Sequence, residues 1–167
     1  MKALVVYESM FGNTRDVAQA IAAGLATSVP VDVREVGQAP PLGELEGDLV
    51  LVGAPTHAFS LSRPSSRKDA AARTGHAVIS ASRGVREWLA ETAWADLRFV
   101  TFETHIRRPN LPGSAARAAA HRLRRLGCTA LERPTIFYVE DVDGPLSPGE
   151  LERATAWGSH LGRRLAG

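Results

Sequence analysis

The sequence VVYESMFGNTRDVAQAI, residues 5–21, decides the fold of this 167-residue chain. The apolar run from Ala3 to Tyr7 predicts a short buried strand. Val17, Ile21 and Leu25 then recur at helical spacing, which predicts an amphipathic helix over residues 13–28. The stretch therefore predicts a strand, a tight loop and a helix in immediate succession.

The loop between this strand and this helix has the composition of an anion-binding turn. Backbone N–H groups at a helix N-terminus are unpaired, and the helix dipole is positive there. Gly12 lets the backbone approach a ligand closely, and Ser9 and Thr14 add hydroxyl donors. An ordinary strand–helix turn capped by Asn or Thr remains the alternative. The candidate phosphate-binding residues are Ser9, Met10, Phe11, Gly12, Asn13 and Thr14.

Two familiar nucleotide-binding turns are excluded at this loop. A Walker loop ends in Gly-Lys-Ser or Gly-Lys-Thr, and no lysine stands between residues 9 and 14. A dinucleotide-binding turn needs three spaced glycines, whereas this loop has one.

The rest of the chain alternates short apolar runs with helical patterns. Four more strands are predicted, at residues 30–36, 48–53, 97–102 and 135–139. Helices are predicted at residues 84–91 and 114–126, the second ending at Gly127. Segment 54–84 has little periodicity, so it either carries function or contains a short helix at residues 66–73.

The last helix has the clearest local signature. Ser147, Pro148 and Glu150 predict an N-cap, a first helical residue and a reciprocal capping box. The predicted buried face consists of Leu151, Ala154, Trp157, Leu161 and Leu165.

Five strands separated by helices predict an α/β protein with a parallel sheet covered on both faces. Right-handed crossovers make this a doubly wound sheet. The length fits a single domain spanning residues 1–167.

Composition excludes several classes of protein. A net charge of +2 without an aromatic-basic stripe argues against nucleic-acid binding. No apolar run reaches the ~20 residues of a membrane span. A single cysteine excludes an internal disulfide, and the histidines lack metal-ligand spacing, so we expect a cytoplasmic protein without a metal site.

Residues 5–21 closely resemble the signature of the flavodoxin family. The matching features are the aromatic residue that ends the strand, the hydroxyl two residues later, and the Thr, Ala and aliphatic residues at set spacings. A weaker resemblance extends over the whole chain through its element order and the GPLSPGEL stretch at residues 144–151. The resemblance implies a five-stranded flavodoxin-like sheet of order 2-1-3-4-5, with FMN at the switch point and its phosphate on residues 9–14.

The resemblance also implies where the flavin ring lies: between the loops that follow strands three and four. His57 and Phe59 are candidates to contact the ring, although Phe59 packing under its loop and an exposed His57 are the alternatives. The loop after strand four departs from the family pattern, because no Phe, Tyr or Trp stands between Phe102 and Phe137. The implied ring-side residues are Pro55, Thr56, His57, Ala58, Phe59, Glu103, Thr104 and His105.

The resemblance leaves three functions open. The first is an FMN-binding redox protein that transfers electrons to a partner protein or a small acceptor. The second is a flavin-dependent oxidoreductase acting on a quinone or porphyrinogen-like substrate, and the third is a flavin-free binding module. No nucleophile–base arrangement identifies catalytic residues. The second function is favoured by the basic residues Arg63, Arg67, Lys68, Arg73, Arg107 and Arg108, because electron carriers of this family are usually acidic.

Overall fold

The computed structural model describes residues 1–57, 59–109 and 112–167. The strands among them are β1 (Ala3–Tyr7), β2 (Val31–Glu35), β3 (Leu49–Pro55), β4 (Arg98–Ile106), β5 (Thr129–Ala130) and β6 (Thr135–Val139). They form one parallel sheet of order β2-β1-β3-β4, and both β5 and β6 pair with the outer edge of β4. The predicted order 2-1-3-4-5 is confirmed, and the fifth strand of that order consists of two pieces, β5 and β6. Pro134 precedes the second piece, and proline cannot donate a ladder hydrogen bond.

Helices cover both faces of the sheet. Leu51 and Val100 belong to the core cluster under the first and last helices, whereas Val50 and Phe99 belong to the cluster on the opposite face. Continuous apolar strands are what a sheet buried on both sides requires. No helix among the described residues is long and apolar enough to cross a membrane. The helices are α1 (Asn13–Leu25), α2 (Pro64–Thr74), α3 (Val85–Ala90), α4 (Ala115–Arg125) and α5 (Glu150–Ala166).

Several predicted boundaries shift. Helix α1 ends at Leu25 rather than Ser28, and segment 54–84 does contain a helix, α2, longer than predicted. Strand β4 continues to Ile106, so residues 103–105 lie in the strand and not in a loop. The reason is tertiary: β3 and β6 flank β4 and hydrogen-bond it beyond the apolar run.

The predicted start of α5 was wrong. The helix begins at Glu150 after Gly149, whose φ is 85°, and no side chain caps it. The Glu150 carboxylate instead accepts a hydrogen bond from the backbone N–H of Tyr138 at 2.6 Å, because β6 lies within its reach. Leu151 is 42% exposed, contrary to the predicted face, whereas Ala154, Leu161 and Leu165 are buried and Trp157 is partly buried.

Helices α1 and α5 pack backbone against backbone. A Cβ atom added to Gly158 would lie 2.1 Å from the carbonyl oxygen of Ile21. One added to Gly24 would lie 2.1 Å from the carbonyl oxygen of Thr155. These two glycines therefore allow the two helices to approach closely over the same face of the sheet.

Replacing Gly158 with alanine should destabilise the protein. Forcing a methyl group against a backbone carbonyl costs roughly 1–3 kcal/mol, more than the ~1 kcal/mol that alanine adds in helix propensity. The matched control is Gly162→Ala in the same helix, where the new Cβ would lie 3.1 Å from the Ser28 side chain and 3.2 Å from the Leu25 carbonyl oxygen, contacts that a shift of a few tenths of an ångström relieves. Urea unfolding should show a clear loss for Gly158→Ala and little change for Gly162→Ala. Equal stability of the two variants would contradict the close approach.

Candidate functional site

A cleft of about 230 Å³ opens where β1, β3 and β4 end. The chain leaves β1 for β2 on one side and returns to β3 on the other, so the cleft lies at the switch point of the sheet, the usual ligand position in doubly wound folds. Its lining residues come from five separate segments: Ser9, Met10, Phe11, Asn13, Thr14, Pro55, Thr56, His57, Arg73, Thr104, Ile106, Val139 and Val142.

The loop after β1 is held in place from its outer side. The backbone N–H of Ser80 donates to the Ser9 carbonyl at 2.9 Å, and that of Ile79 donates to the Met10 carbonyl at 3.1 Å. The N–H of Ser9 donates to Ser80 Oγ at 3.0 Å, and this hydroxyl donates to Glu35 Oε1 at 2.6 Å. The shape of the loop is therefore fixed by protein contacts.

The same loop carries backbone N–H donors that have no partner among the described residues. Among the described residues, none accepts a hydrogen bond from the N–H groups of Met10, Phe11, Asn13 or Thr14. Gly12 has a φ of 103°, a left-handed conformation that turns the chain into α1, and its N–H donates to Ser9 Oγ at 3.1 Å. Convergent backbone donors at a helix N-terminus form an anion-binding site. A phosphate group therefore fits this end of the cleft.

Two buried hydroxyl groups connect the loop to the far side of the cleft. Thr14 Oγ1 and Thr104 Oγ1 are 2.8 Å apart, and both residues are almost fully buried. Each hydroxyl carries one proton. One hydroxyl therefore donates to the other, and the second proton remains available for a hydrogen bond to a ligand.

Residues after β3 form the rim of the cleft. The Thr56 hydroxyl accepts the N–H of Ala115 at 3.0 Å, so it caps α4 while its residue lines the cleft. His57 and Ser60 exchange backbone hydrogen bonds of 2.8 and 2.9 Å, closing a turn that carries Phe59 at a φ of 73°. Phe59 is 54% exposed and does not line the cleft. Ala58, also predicted here, lies outside the described residues.

The His57 ring is the ionisable group on this rim. Burial lowers the pKa of His57, and the positive charge of Arg67 acts in the same direction. The neutral imidazole is therefore favoured at this position near neutral pH.

Two of the predicted ring-side residues lie on the other face of the sheet. Glu103 Oε2 accepts hydrogen bonds from the Ser114 hydroxyl at 2.6 Å and from the Ala116 N–H at 2.8 Å, and so holds the N-terminus of α4. His105 Nδ1 lies 3.2 Å from Glu103 Oε1. Side chains alternate along a strand, so Thr104 alone of the three lines the cleft.

The predicted contacts left out four lining residues: Arg73, which the sequence singled out only for its charge, and Ile106, Val139 and Val142. Ile106 and Val139 end adjacent paired strands, a signal that strand pairing could have supplied. Arg73 and Val142 reach the cleft only through the packing of α2 and the loop after β6, which no local pattern indicates.

A buried charged network lies behind the cleft. Glu8 is fully buried, and its carboxylate accepts hydrogen bonds from the Ser62 hydroxyl and from the Val85 N–H, the latter at 2.8 Å. Arg67, only 2% exposed, donates to Ser62 Oγ at 2.9 Å and to Glu87 Oε2 at 3.2 Å. The network ties α2 and α3 to the end of β1, immediately before the candidate phosphate loop.

This arrangement of loop, sheet and cleft agrees with comparisons to known proteins. The family model for flavodoxin matches residues 5–69, which include the end of β1, the loop and α1. The chain is flavodoxin-like. No curated protein matches it significantly in sequence.

Solved flavodoxins share the fold of this flavodoxin-like chain along its whole length. A flavodoxin from the domain Archaea is 20% identical, with a TM-score of 0.67 and 100% of both chains covered. Flavodoxin 1 from Bacillus cereus, in its oxidised form, is 15% identical, with a TM-score of 0.69 and 98% of each chain covered. The Streptococcus pneumoniae TIGR4 flavodoxin is 18% identical, with a TM-score of 0.67, 98% of this chain and 99% of that chain being covered.

The buried Glu8 carboxylate should make stability depend on pH. Burial raises the pKa of Glu8 above its ordinary value of 4.5, although the hydrogen bonds from Ser62 and Val85 oppose that rise. The native state then binds this proton more tightly than the unfolded state. The stabilisation that protonated Glu8 contributes is fully present below the pKa of Glu8 in the unfolded state. It is lost as pH rises through the pKa of Glu8 in the folded state.

Urea unfolding of wild type and Glu8→Gln, measured from about pH 4 to 8, isolates this contribution. The free energy of unfolding of wild type minus that of the variant should fall as pH rises. Ser62→Ala should move the fall to higher pH, because the Ser62 hydroxyl stabilises the charged carboxylate. If the free energy of unfolding of wild type minus that of Glu8→Gln grows with pH, the pKa of Glu8 is lowered in the folded state, and the prediction is wrong.

Proposed function

We propose that this flavodoxin-like chain binds FMN and mediates electron transfer to a redox partner protein or a small acceptor. The main support for this proposal is the group of unpaired N–H donors at the N-terminus of α1, beside the buried Thr14 hydroxyl. Residues 1–167 would act together as one domain.

We propose FMN rather than riboflavin because the loop at residues 9–14 suits a phosphate group. Unpaired backbone donors and the positive end of α1 favour an anion over a neutral group. Riboflavin carries the same ring as FMN but lacks the phosphate, so it provides the natural comparison. The proposed phosphate contacts are Ser9, Met10, Phe11, Gly12, Asn13 and Thr14.

The bound flavin would supply the redox chemistry, and the protein would bind and orient it. The cleft is smaller than the roughly 300–1,000 Å³ of typical ligand sites, so part of the cofactor would remain accessible to an acceptor. Pro55, Thr56, His57 and Thr104 stay proposed as contacts because they line the cleft. Glu103 and His105 are proposed to support the site through α4 rather than by contact.

Thr14→Ala should weaken FMN binding by about 1–3 kcal/mol, the contribution of a hydrogen bond to a charged group. The affinity for riboflavin should change much less, because the lost contact is to phosphate. Isothermal titration calorimetry with both ligands measures this difference. Thr155→Ala, on the exposed side of α5, is the control and should leave both affinities unchanged. Absence of FMN binding to wild type at millimolar concentration would reject the proposed function.

A flavin-dependent oxidoreductase is the second candidate, favoured by the cation that the structure adds to the cleft. The exposed Arg73 on α2 lines the cleft, and none of the described residues forms a salt bridge with it. Reduced FMN carries additional negative charge on its ring, which a nearby cation stabilises. Such a site accepts electrons more readily than one surrounded by carboxylates.

Arg73→Gln should therefore lower the reduction potential of the protein-bound FMN. A unit charge about 8 Å away in water-like surroundings contributes about 0.5 kcal/mol, and added salt should reduce the effect. Redox titration measures the shift, with Lys68→Gln on the same helix as the control because Lys68 lines no part of the cleft. An equal shift in both variants would indicate a general surface effect instead.

A further inference from the structure

We propose that a second cleft, beside the first and separated from it by His57, binds a small organic anion. This second cleft has a volume of about 400 Å³ and lies between the turn after β3, the first turns of α2, and α3. Its volume is within the range of typical ligand sites, and it exceeds that of the first cleft. The residues that matter for the ligand are His57, Ser65, Arg63, Arg86 and Asp69.

Arg86 is a cation held in a fixed position in this cleft. Its Nε donates to the Ser62 carbonyl at 3.0 Å, and its NH2 group donates to the Leu61 carbonyl at 2.7 Å. Both acceptors are neutral, so they orient the guanidinium without cancelling its charge. Burial lowers the pKa of Arg86, and the positive charges of Arg122 and Arg63 add to the effect, against opposing contributions from Glu87 and Glu8.

Arg63 brings a second positive charge to the same cleft. It is exposed, and none of the described residues forms a salt bridge with it. Asp69 is the one carboxylate among the described lining residues, so two guanidinium groups face a single acidic group. The Ser65 hydroxyl adds a neutral donor. Guanidinium groups match the planar, two-oxygen geometry of carboxylates and sulfonates.

The position of the second cleft gives the anion a role. His57 lines both clefts. A depression of about 240 Å³ shares His57 and Arg73 with the first cleft, and His57 and Asp69 with the second. Resting on the proposed function, this arrangement places the anion next to the bound flavin. The ligand class is therefore a small electron acceptor that carries an acidic group.

Two probes that differ in charge test this inference on the full-length protein. We choose 1,4-naphthoquinone-2-sulfonate and the neutral 2-methyl-1,4-naphthoquinone, each titrated by calorimetry with and without saturating FMN. The sulfonate should bind about tenfold more tightly than the neutral quinone, the effect of roughly one hydrogen bond to a charged group. Added salt should reduce this preference.

Variants locate the site. Arg63→Glu should abolish the preference for the sulfonate. Lys68→Gln, a charge change outside the cleft on the helix that follows Arg63, should keep it. Arg86→Lys keeps the charge but loses the two hydrogen bonds that orient the guanidinium, so it should lower the affinity for the sulfonate only partly. Thermal unfolding of each variant establishes that it is folded.

Equal affinities for the two quinones would overturn the proposal that the second cleft binds an anion. Equal effects of Arg63→Glu and Lys68→Gln on sulfonate affinity would overturn it as well. FMN binding without a sulfonate preference would reject this inference and keep the proposed function. Sulfonate binding that depends on Arg63, in a protein that does not bind FMN, would reject the proposed function and keep the anion site.

Discussion

The structure depends on one constraint: the parallel sheet is buried on both faces. Apolar side chains fill both faces of β1 and β3, with α1 and α5 on one side and α3 and α4 on the other. Polar groups that act on a ligand are thereby confined to the ends of the strands. Since all the strands run in the same direction, their carboxyl ends meet at a single edge. The candidate site follows from this geometry before any particular side chain is considered.

Several polar residues at this edge serve the fold and the site together. Thr56 lines the cleft and caps α4, while Glu103 holds the same helix end from the opposite face of the sheet. Glu8 binds the segments that carry α2 and α3 immediately before the loop whose N–H groups remain free. Buried carboxylates that accept several hydrogen bonds fix the backbone around them. The end of β1, where the candidate phosphate loop begins, is therefore held by a buried residue that does not line the cleft.

Helix α2 distinguishes this edge of the molecule. It packs on Met10 through a small apolar cluster that includes Ala70 and Val78, and it is anchored by the buried Arg67. Its placement narrows the first cleft, brings Arg73 to it, and forms one wall of the second cleft. A single helix, in a segment whose sequence shows little periodicity, therefore contributes lining residues to both clefts.

The sequence by itself determined the fold class, the strand order through its resemblance to flavodoxins, and the loop at residues 9–14. These features depend on local apolar runs, helical spacing and one strand–loop–helix signature, all of which are readable over a few residues. Tertiary structure decided which of the predicted residues face the cleft. Strand β4 continues because its neighbours pair with it. Thr104 therefore lines the cleft, whereas Glu103 hydrogen-bonds the N-terminus of α4 and His105 contacts Glu103.

The start of α5 is a second feature that the local sequence did not predict. Ser147, Pro148 and Glu150 form a local capping pattern, yet the Glu150 carboxylate binds the backbone of Tyr138, which only the packing of α5 beside β6 brings within reach. The Glu8–Arg67 network and the approach of Arg73 and Val142 likewise join residues far apart in the chain. Local sequence patterns specify what a segment prefers to form. Which distant groups meet is set by how the buried faces pack, and that information is spread over the whole chain.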